Sequence, residues 1–193
     1  MHIPVVDCHC DTLLKINSEE IDFFKPTNSH VDLPKLEAGG VMLQFMAIFI
    51  QSIYKPGSTL KKSLELINTY HNLLKNERFL GVKTKEDLQA LIATENDSIG
   101  LLLSLEGAEP IESIELLEVF CMLGVRCIGL TWNHRNMLAD GVGETSSRGG
   151  LTDYGGLIIK RMNQLGILID VAHLSEKGFW DVLDISTKPI LVS

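Results

Sequence analysis

Near-continuous aliphatic runs recur along this chain with room for one helix between most neighbours, and that rhythm restricts the fold more than any single motif. The runs are Ile3 to Cys10, Val41 to Ile50, Ile99 to Leu105, Val125 to Thr131, Gly166 to Ala172 and Pro189 to Val192. A strand with one wet face alternates polar and apolar residues, whereas a parallel strand covered on both faces reads as an unbroken apolar stretch. Helical stripes lie between the runs. Leu60, Leu64, Ile67, His71 and Leu74 follow Gly57-Ser58-Thr59, and Ile114, Leu117, Phe120 and Cys121 precede Gly124, a C-terminal stop. Thr152 can cap a helix carrying Leu157, Ile158, Arg161, Met162 and Leu165 that Gly166 ends. Thr84-Lys85-Glu86-Asp87 carries the S/T-x-x-D/E start signal ahead of Leu88, Leu91 and Ile92. Such alternation predicts a parallel α/β architecture of the (β/α)8 TIM-barrel type, with right-handed crossovers gathering the strand ends on one rim.

Closure of such a barrel needs eight units, and an open arc leaves unpaired strands at both edges. The expectation is therefore an incomplete barrel of about six βα units. Residues 1–193 then form the N-terminal part of a single TIM-barrel domain, truncated or completed by another chain, with a homo-oligomer as one way to cover the edges.

Composition excludes several partners. A net charge of −8 with no Lys/Arg-rich run argues against nucleic acid or an anionic membrane, since both need a clustered basic surface. The longest apolar stretch, Val41 to Ile50, is interrupted by Gln44 and is too short to span a bilayer. Without a charged leader ahead of the first run, the chain reads as soluble and cytoplasmic. The four cysteines fit neither a disulfide framework nor C-x-x-C, so they read as reduced thiols, Cys8 and Cys10 being packing residues on the strand face opposite His9. Asn96-Asp97-Ser98 matches a glycosylation acceptor but reads as a turn in a chain with no secretory leader. His71 lies on the apolar stripe of its helix, and His2 and His30 read as surface or loop residues.

Polar, ligand-capable residues collect where the runs end. In a strand, His9 and Asp11 project to one side and present an imidazole and a carboxylate to one cation, a pairing that suits zinc. The bland alternative is a buried His–Asp hydrogen bond that orients a strand end. Glu106, between Leu105 and Gly107, is either a solvated strand terminus or a carboxylate that bridges two cations. His173 follows Ile167 to Ala172, where a histidine is either an ordinary core residue or a ligand. Together His9, Asp11, Glu106 and His173 make a set able to hold two metals about 3.5–4 Å apart, which acidify a water and polarise a carbonyl. That chemistry is amide hydrolysis. His134 is a candidate donor to the oxygen that gains charge in the tetrahedral intermediate, or else a plain loop residue. Asp7 and Asp170 can orient a ligand histidine or pair locally.

Several stretches carry a resemblance in order and spacing. They are Val6-Asp7-Cys8-His9-Cys10-Asp11, Asp32-Leu33-Pro34-Lys35-Leu36 to Gly39-Gly40-Val41 with Gln44-Phe45, Leu105-Glu106-Gly107, and Leu130-Thr131-Trp132-Asn133-His134 with Ala139-Asp140. Gly150-Leu151-Thr152 and Ile169-Asp170-Val171-Ala172-His173-Leu174-Ser175 complete them. Along essentially its whole length the chain resembles the membrane (renal) dipeptidase family of metallopeptidases, a branch of the amidohydrolase-like TIM barrels. The resemblance implies a zinc-dependent dipeptidase with two Zn2+ and a dipeptide substrate. His9 and Asp11 then bind one zinc, Glu106 bridges, His173 binds the second, and His134 contacts substrate or transition state. It also implies a second histidine after the sixth strand, expected just where this stretch ends at Ser193, an arginine for the substrate carboxylate, and a proton-shuttling aspartate on the last strand, beyond this stretch. Weak metal occupancy and little turnover are the expectation for this stretch alone. The rivals are another amide or cyclic-amide hydrolase of the superfamily, and a non-catalytic paralogue acting as a subunit.

Overall fold

The computed structural model describes residues 4–55, 57–93 and 98–193. His2, the first residue of the run beginning at Ile3, and Asn96-Asp97 lie outside the described residues. In chain order the elements are β1 (Val5–Asp7), α1 (Thr12–Asn17), α2 (Leu33–Ala38), β2 (Val41–Phe49), a 3-10 turn (Ser52–Tyr54), α3 (Thr59–Leu73), β3 (Phe79–Gly81) and α4 (Lys85–Ala93). They continue as β4 (Ile99–Glu106), α5 (Ile114–Met122), β5 (Val125–Gly129), α6 (Asp153–Leu165), β6 (Leu168–Asp170), α7 (Glu176–Ile185) and β7 (Ile190–Leu191). The class is α/β, and each pairing with a described register is parallel, as the apolar runs predict.

The chain divides into two compact units. The first comprises the described residues of Met1–Ile48 and Leu64–Leu103. In it β2 lies between β1 and β4, and β3 pairs with the start of β4, Phe79 opposite Ile99 and Gly81 opposite Leu101. Leu13, Met46, Ile48, Leu101 and Leu103 are wholly buried there, and the buried Tyr70 hydroxyl donates to the Leu101 carbonyl at 2.8 Å. Asp32 caps α2: its carboxylate accepts from the Lys35 amide at 3.0 Å, from the Thr27 amide at 2.8 Å and from the Lys35 ammonium at 2.6 Å. Burial alone raises a carboxyl, yet these donors outweigh it and hold Asp32 far below the usual range.

The second unit comprises Phe49–Ser63 and Ser104–Ser193. It holds the end of β4 followed by β5, β6 and β7 in that order, Gly129 lying opposite Asp170 and Asp170 opposite Leu191. Leu117 and Phe120 of α5, Ile158 and Met162 of α6 and Val182 of α7 bury their side chains fully. The Thr152 hydroxyl accepts from the Gly155 amide at 2.9 Å, so the expected cap of α6 is present, and Gly166 closes the helix in the left-handed conformation at φ 70°.

Two strand expectations need correction. The first run is strand only over Val5–Asp7, because the Asp7 carboxylate accepts from the His9 amide at 3.1 Å and turns the chain out of the ladder. β3 is an additional strand that the apolar pattern does not announce, since three residues ending in glycine carry no readable period. Helices α1, α2 and α7 likewise add to the stripes read from sequence.

Candidate functional site

His9 and Asp11 follow β1 rather than lying in it, Asp11 standing at the N-cap position of α1. The period-two geometry of a strand is therefore not what brings them together. The Asx turn at Asp7 does so, leaving His9 Nε2 3.6 Å from Asp11 Oδ1, with side chains 34% and 53% exposed. The two can reach one cation from solvent. Cys10 turns the other way, its thiol donating to Met46 Sδ at 3.6 Å, and burial pushes that thiol up to about 11. A protonated, buried thiol is a packing residue, as expected of Cys10, although it lies after the strand and not on its opposite face.

Around this pair lies a cavity of about 490 Å3 in the first unit, whose wall also includes Asp7, Lys15 and His30. His30 is the exposed loop residue that its sequence context suggests, and its loop brings it to this cavity. The knot made by Asp32 and Lys35 explains its placement: the Lys35 ammonium donates to the Thr27 and Ser29 carbonyls at 2.6 and 2.8 Å and fixes the loop ahead of α2. Nothing in the local pattern of Asn28-Ser29-His30 signals this, because the contact depends on the loop's return.

In the second unit Glu106 ends β4 and His173 follows β6. Glu106 is not a solvated terminus: its side chain is 12% exposed and its Oε1 lies 3.2 Å from His173 Nε2. The other ring nitrogen, His173 Nδ1, sits 2.9 Å from Asn133 Oδ1. His173 adopts the left-handed conformation at φ 63°, an unusual state for a residue with a Cβ, held by surrounding contacts. Its carbonyl accepts from the Val142 amide at 2.7 Å and from the Thr131 hydroxyl at 3.3 Å. Asp170 pairs locally, accepting from the Ala172 amide at 2.9 Å.

His134 stands apart from the Glu106–His173 pair. Its side chain is 72% exposed, with Nδ1 3.7 Å from Glu144 Oε1, and its ring lies edge-on to Trp132 at 6.3 Å. Trp132 also faces the His173 ring at 6.3 Å, so one indole stands between the two histidines. His134, Trp132 and Met137 line a second cavity of about 380 Å3, together with Lys55 and Glu109, which pair at 2.7 Å. That ion pair joins residues far apart in sequence and has no motif of its own. Behind the cavity Arg135 grips Asp140, and this guanidinium together with the Ser147 hydroxyl at 2.5 Å holds the Asp140 carboxyl below the usual range.

The family model for membrane dipeptidases, peptidase family M19, matches residues 1–193. The chain belongs to that family. As a member of the membrane dipeptidase family it is 32% identical over its whole length to an uncharacterised dipeptidase of Schizosaccharomyces pombe, of which it spans 51%. It is 27% identical to an uncharacterised Acinetobacter calcoaceticus protein, spanning 70% of it. A metallopeptidase from Rhodobacter sphaeroides, liganded with a phosphinate mimic of the dipeptide L-Ala-D-Ala, superposes with a TM-score of 0.87 at 24% identity over all of this chain and 65% of that one. The crystal structure of a family M19 dipeptidase superposes at 0.86 with 26% identity, over all of this chain and 63% of that one. The chain thus spans about half to two thirds of the length of most of these relatives.

A metallopeptidase family implies a metal, and the residues fit one. Each unit brings an imidazole nitrogen and a carboxylate oxygen close together, and these are donor types that zinc accepts. His173 Nδ1 is engaged by Asn133, so Nε2 is the ring nitrogen that would reach a metal.

Proposed function

We propose that this protein is a zinc-dependent dipeptidase in which His9, Asp11, Glu106 and His173 hold two divalent ions. The observation that carries the reading is the Glu106–His173 pair, a shielded carboxylate facing an imidazole at 3.2 Å, in a chain whose whole length matches a metallopeptidase family. The His9–Asp11 pair, an imidazole 3.6 Å from a carboxylate, supports it. Residues 1–193 are read as part of one (β/α)8 metallohydrolase domain.

When bound, the metal ions supply an acidified water and polarise the scissile carbonyl. The chain's own residues supply position. Glu106 is held with one carboxylate oxygen 3.2 Å from His173 Nε2, and in this reading its carboxylate would serve the metal ions. Trp132 presents an apolar wall and Met137 a pliable one, in a cavity of about 380 Å3 that has room for a small ligand. We assign His134, at its exposed edge, the role of donor to substrate. A dipeptide, with one residue over each side of the scissile bond, is the substrate class this arrangement serves.

Since little turnover is expected of residues 1–193 alone, metal-stripped protein carrying the complete domain, reloaded with Zn2+ and offered dipeptides, some with a D-residue, and cyclic imides, tests the reading. Dipeptide cleavage that chelator abolishes and that Glu106→Gln lowers by at least 10²-fold is expected. Cleavage indifferent to chelator, or a preference for cyclic imides, overturns it.

A further inference from the structure

We infer that Asn133 is a positioning residue for His173, selecting the imidazole tautomer that leaves Nε2 free to take a metal ion. The inference rests on the reading of Glu106 and His173 as ligands. A neutral imidazole has one N–H and one lone pair, and its partners decide which nitrogen holds the proton. The Asn133 side-chain oxygen lies 2.9 Å from Nδ1 and has no proton to offer, so in the neutral ring this contact favours the tautomer with its hydrogen on Nδ1. Nε2 is then an acceptor, and it faces Glu106 Oε1, another acceptor, at 3.2 Å. Two lone-pair atoms at that separation repel unless a cation serves both. The Asn133 contact therefore prepares the pair for a positive ion.

The backbone around Asn133 is built to hold that contact. The Asn133 carbonyl accepts from the Gly143 amide at 2.7 Å, and the neighbouring Val142 amide donates to the His173 carbonyl at 2.7 Å. One short segment thus ties Asn133 and His173 to each other through the main chain while their side chains meet. The closeness requires glycine at both ends of it. A Cβ on Gly143 would stand 2.6 Å from the Asn133 carbonyl oxygen, and one on Gly141 would stand 2.5 Å from the Asn133 carbonyl carbon. Those obstacles are backbone, which cannot swing aside. The left-handed φ of His173 is a further cost that this clamp sustains, and it aims the ring at Glu106.

The test compares Asn133→Leu, which removes the acceptor, with Asn133→Asp, which keeps one. Co2+ affinity is measured by chelator competition, the visible Co2+ spectrum reports ligand geometry, and thermal melting of the metal-free protein reports folding. Expected are a loss of affinity of about 10–100-fold with an altered spectrum in Asn133→Leu, and recovery of both in Asn133→Asp. Unchanged affinity and spectrum in Asn133→Leu overturn the inference, as does a loss in Asn133→Asp equal to that in Asn133→Leu. A purely structural role would lower the metal-free melting temperature of both variants and leave the spectrum of bound Co2+ unaltered. Should Asn133→Leu fail to fold, the tautomer is read directly from the ¹⁵N shifts of the metal-free wild-type ring, assigned with His173→Gln. A protonated Nδ1 supports the inference and a protonated Nε2 overturns it. Wild-type protein that binds no Co2+ refutes the metal-centre reading itself, a result distinct from the others.

Discussion

At the scale of single residues, the chain concentrates charge only where donors surround it. Asp32 has no exposed surface, yet two amides, a hydroxyl and the Lys35 ammonium converge on its carboxylate. Removing it leaves buried donors unanswered and uncaps α2. Asp32→Ala is expected to cost about 3 kcal/mol at neutral pH, measured by urea denaturation. The sign of its pH dependence follows from the depressed carboxyl. The unfolded carboxyl titrates near the usual carboxylate value of about 3.9, so the stabilisation is complete above that range and declines as pH falls toward the lower folded value. The gap between wild type and Asp32→Ala is therefore expected to be full at pH 7 and smaller at pH 3. A gap that widens in acid contradicts the assignment. The same loop carries His30 to the cavity beside His9, so this variant also tests whether the knot shapes that wall: a resonance of His30 that broadens or shifts in Asp32→Ala while that of His71 stays fixed is the expected signature.

Elements were legible where a polar side chain marks an end and an apolar period fills the middle. The α6 segment has both, with Thr152 before it and Gly166 after it, and its boundaries match the sequence expectation. The start signal at Thr84 likewise becomes a reciprocal cap, the Asp87 amide donating to the Thr84 hydroxyl at 3.1 Å and the Thr84 amide to the Asp87 carboxylate at 2.9 Å. Where an end is set by a contact distant in sequence, the pattern is silent. β3 exists because β4 offers it a partner, and β1 ends early because Asp7 captures the His9 amide. The candidate site shows the same division. The residue types at His9, Asp11, Glu106 and His173 are legible, whereas the contacts of Asn133 and His30 depend on loops that return. The Thr152 hydroxyl donates to the Met137 carbonyl at 2.7 Å as well as accepting from Gly155, so it ties the helix to the loop that lines the second cavity. Thr152→Ala is expected to lower stability by about 1–2 kcal/mol in chemical denaturation, and Thr152→Ser to restore most of it. Equal losses in the two variants would mean that the threonine methyl matters and the cap does not.

For the molecule as a whole, the question is whether two compact units serve one chemistry. Each contributes an imidazole and a carboxylate, His9 with Asp11 in one and Glu106 with His173 in the other. A lone pair of this kind is a weak site, because zinc usually takes three or four protein ligands. The proposal that Glu106 serves two ions predicts that the two pairs are interdependent, and interdependence is measurable. His9→Ala and His173→Ala, singly and combined, can be compared by the rise in melting temperature that saturating Zn2+ gives each protein, converted to a binding free energy. Independent sites give losses that add within about 0.5 kcal/mol, whereas residues around shared ions couple by about 0.5–3 kcal/mol. The expected result is strong coupling: once either histidine is gone, losing the second costs little more, because the bridged pair of ions has already been lost. The metal-free melting temperatures guard the comparison, since an imidazole beside a carboxylate also affects folding without metal. Additive losses, with metal-free stabilities unchanged, would assign each unit its own cation and remove the basis for a shared hydrolytic centre.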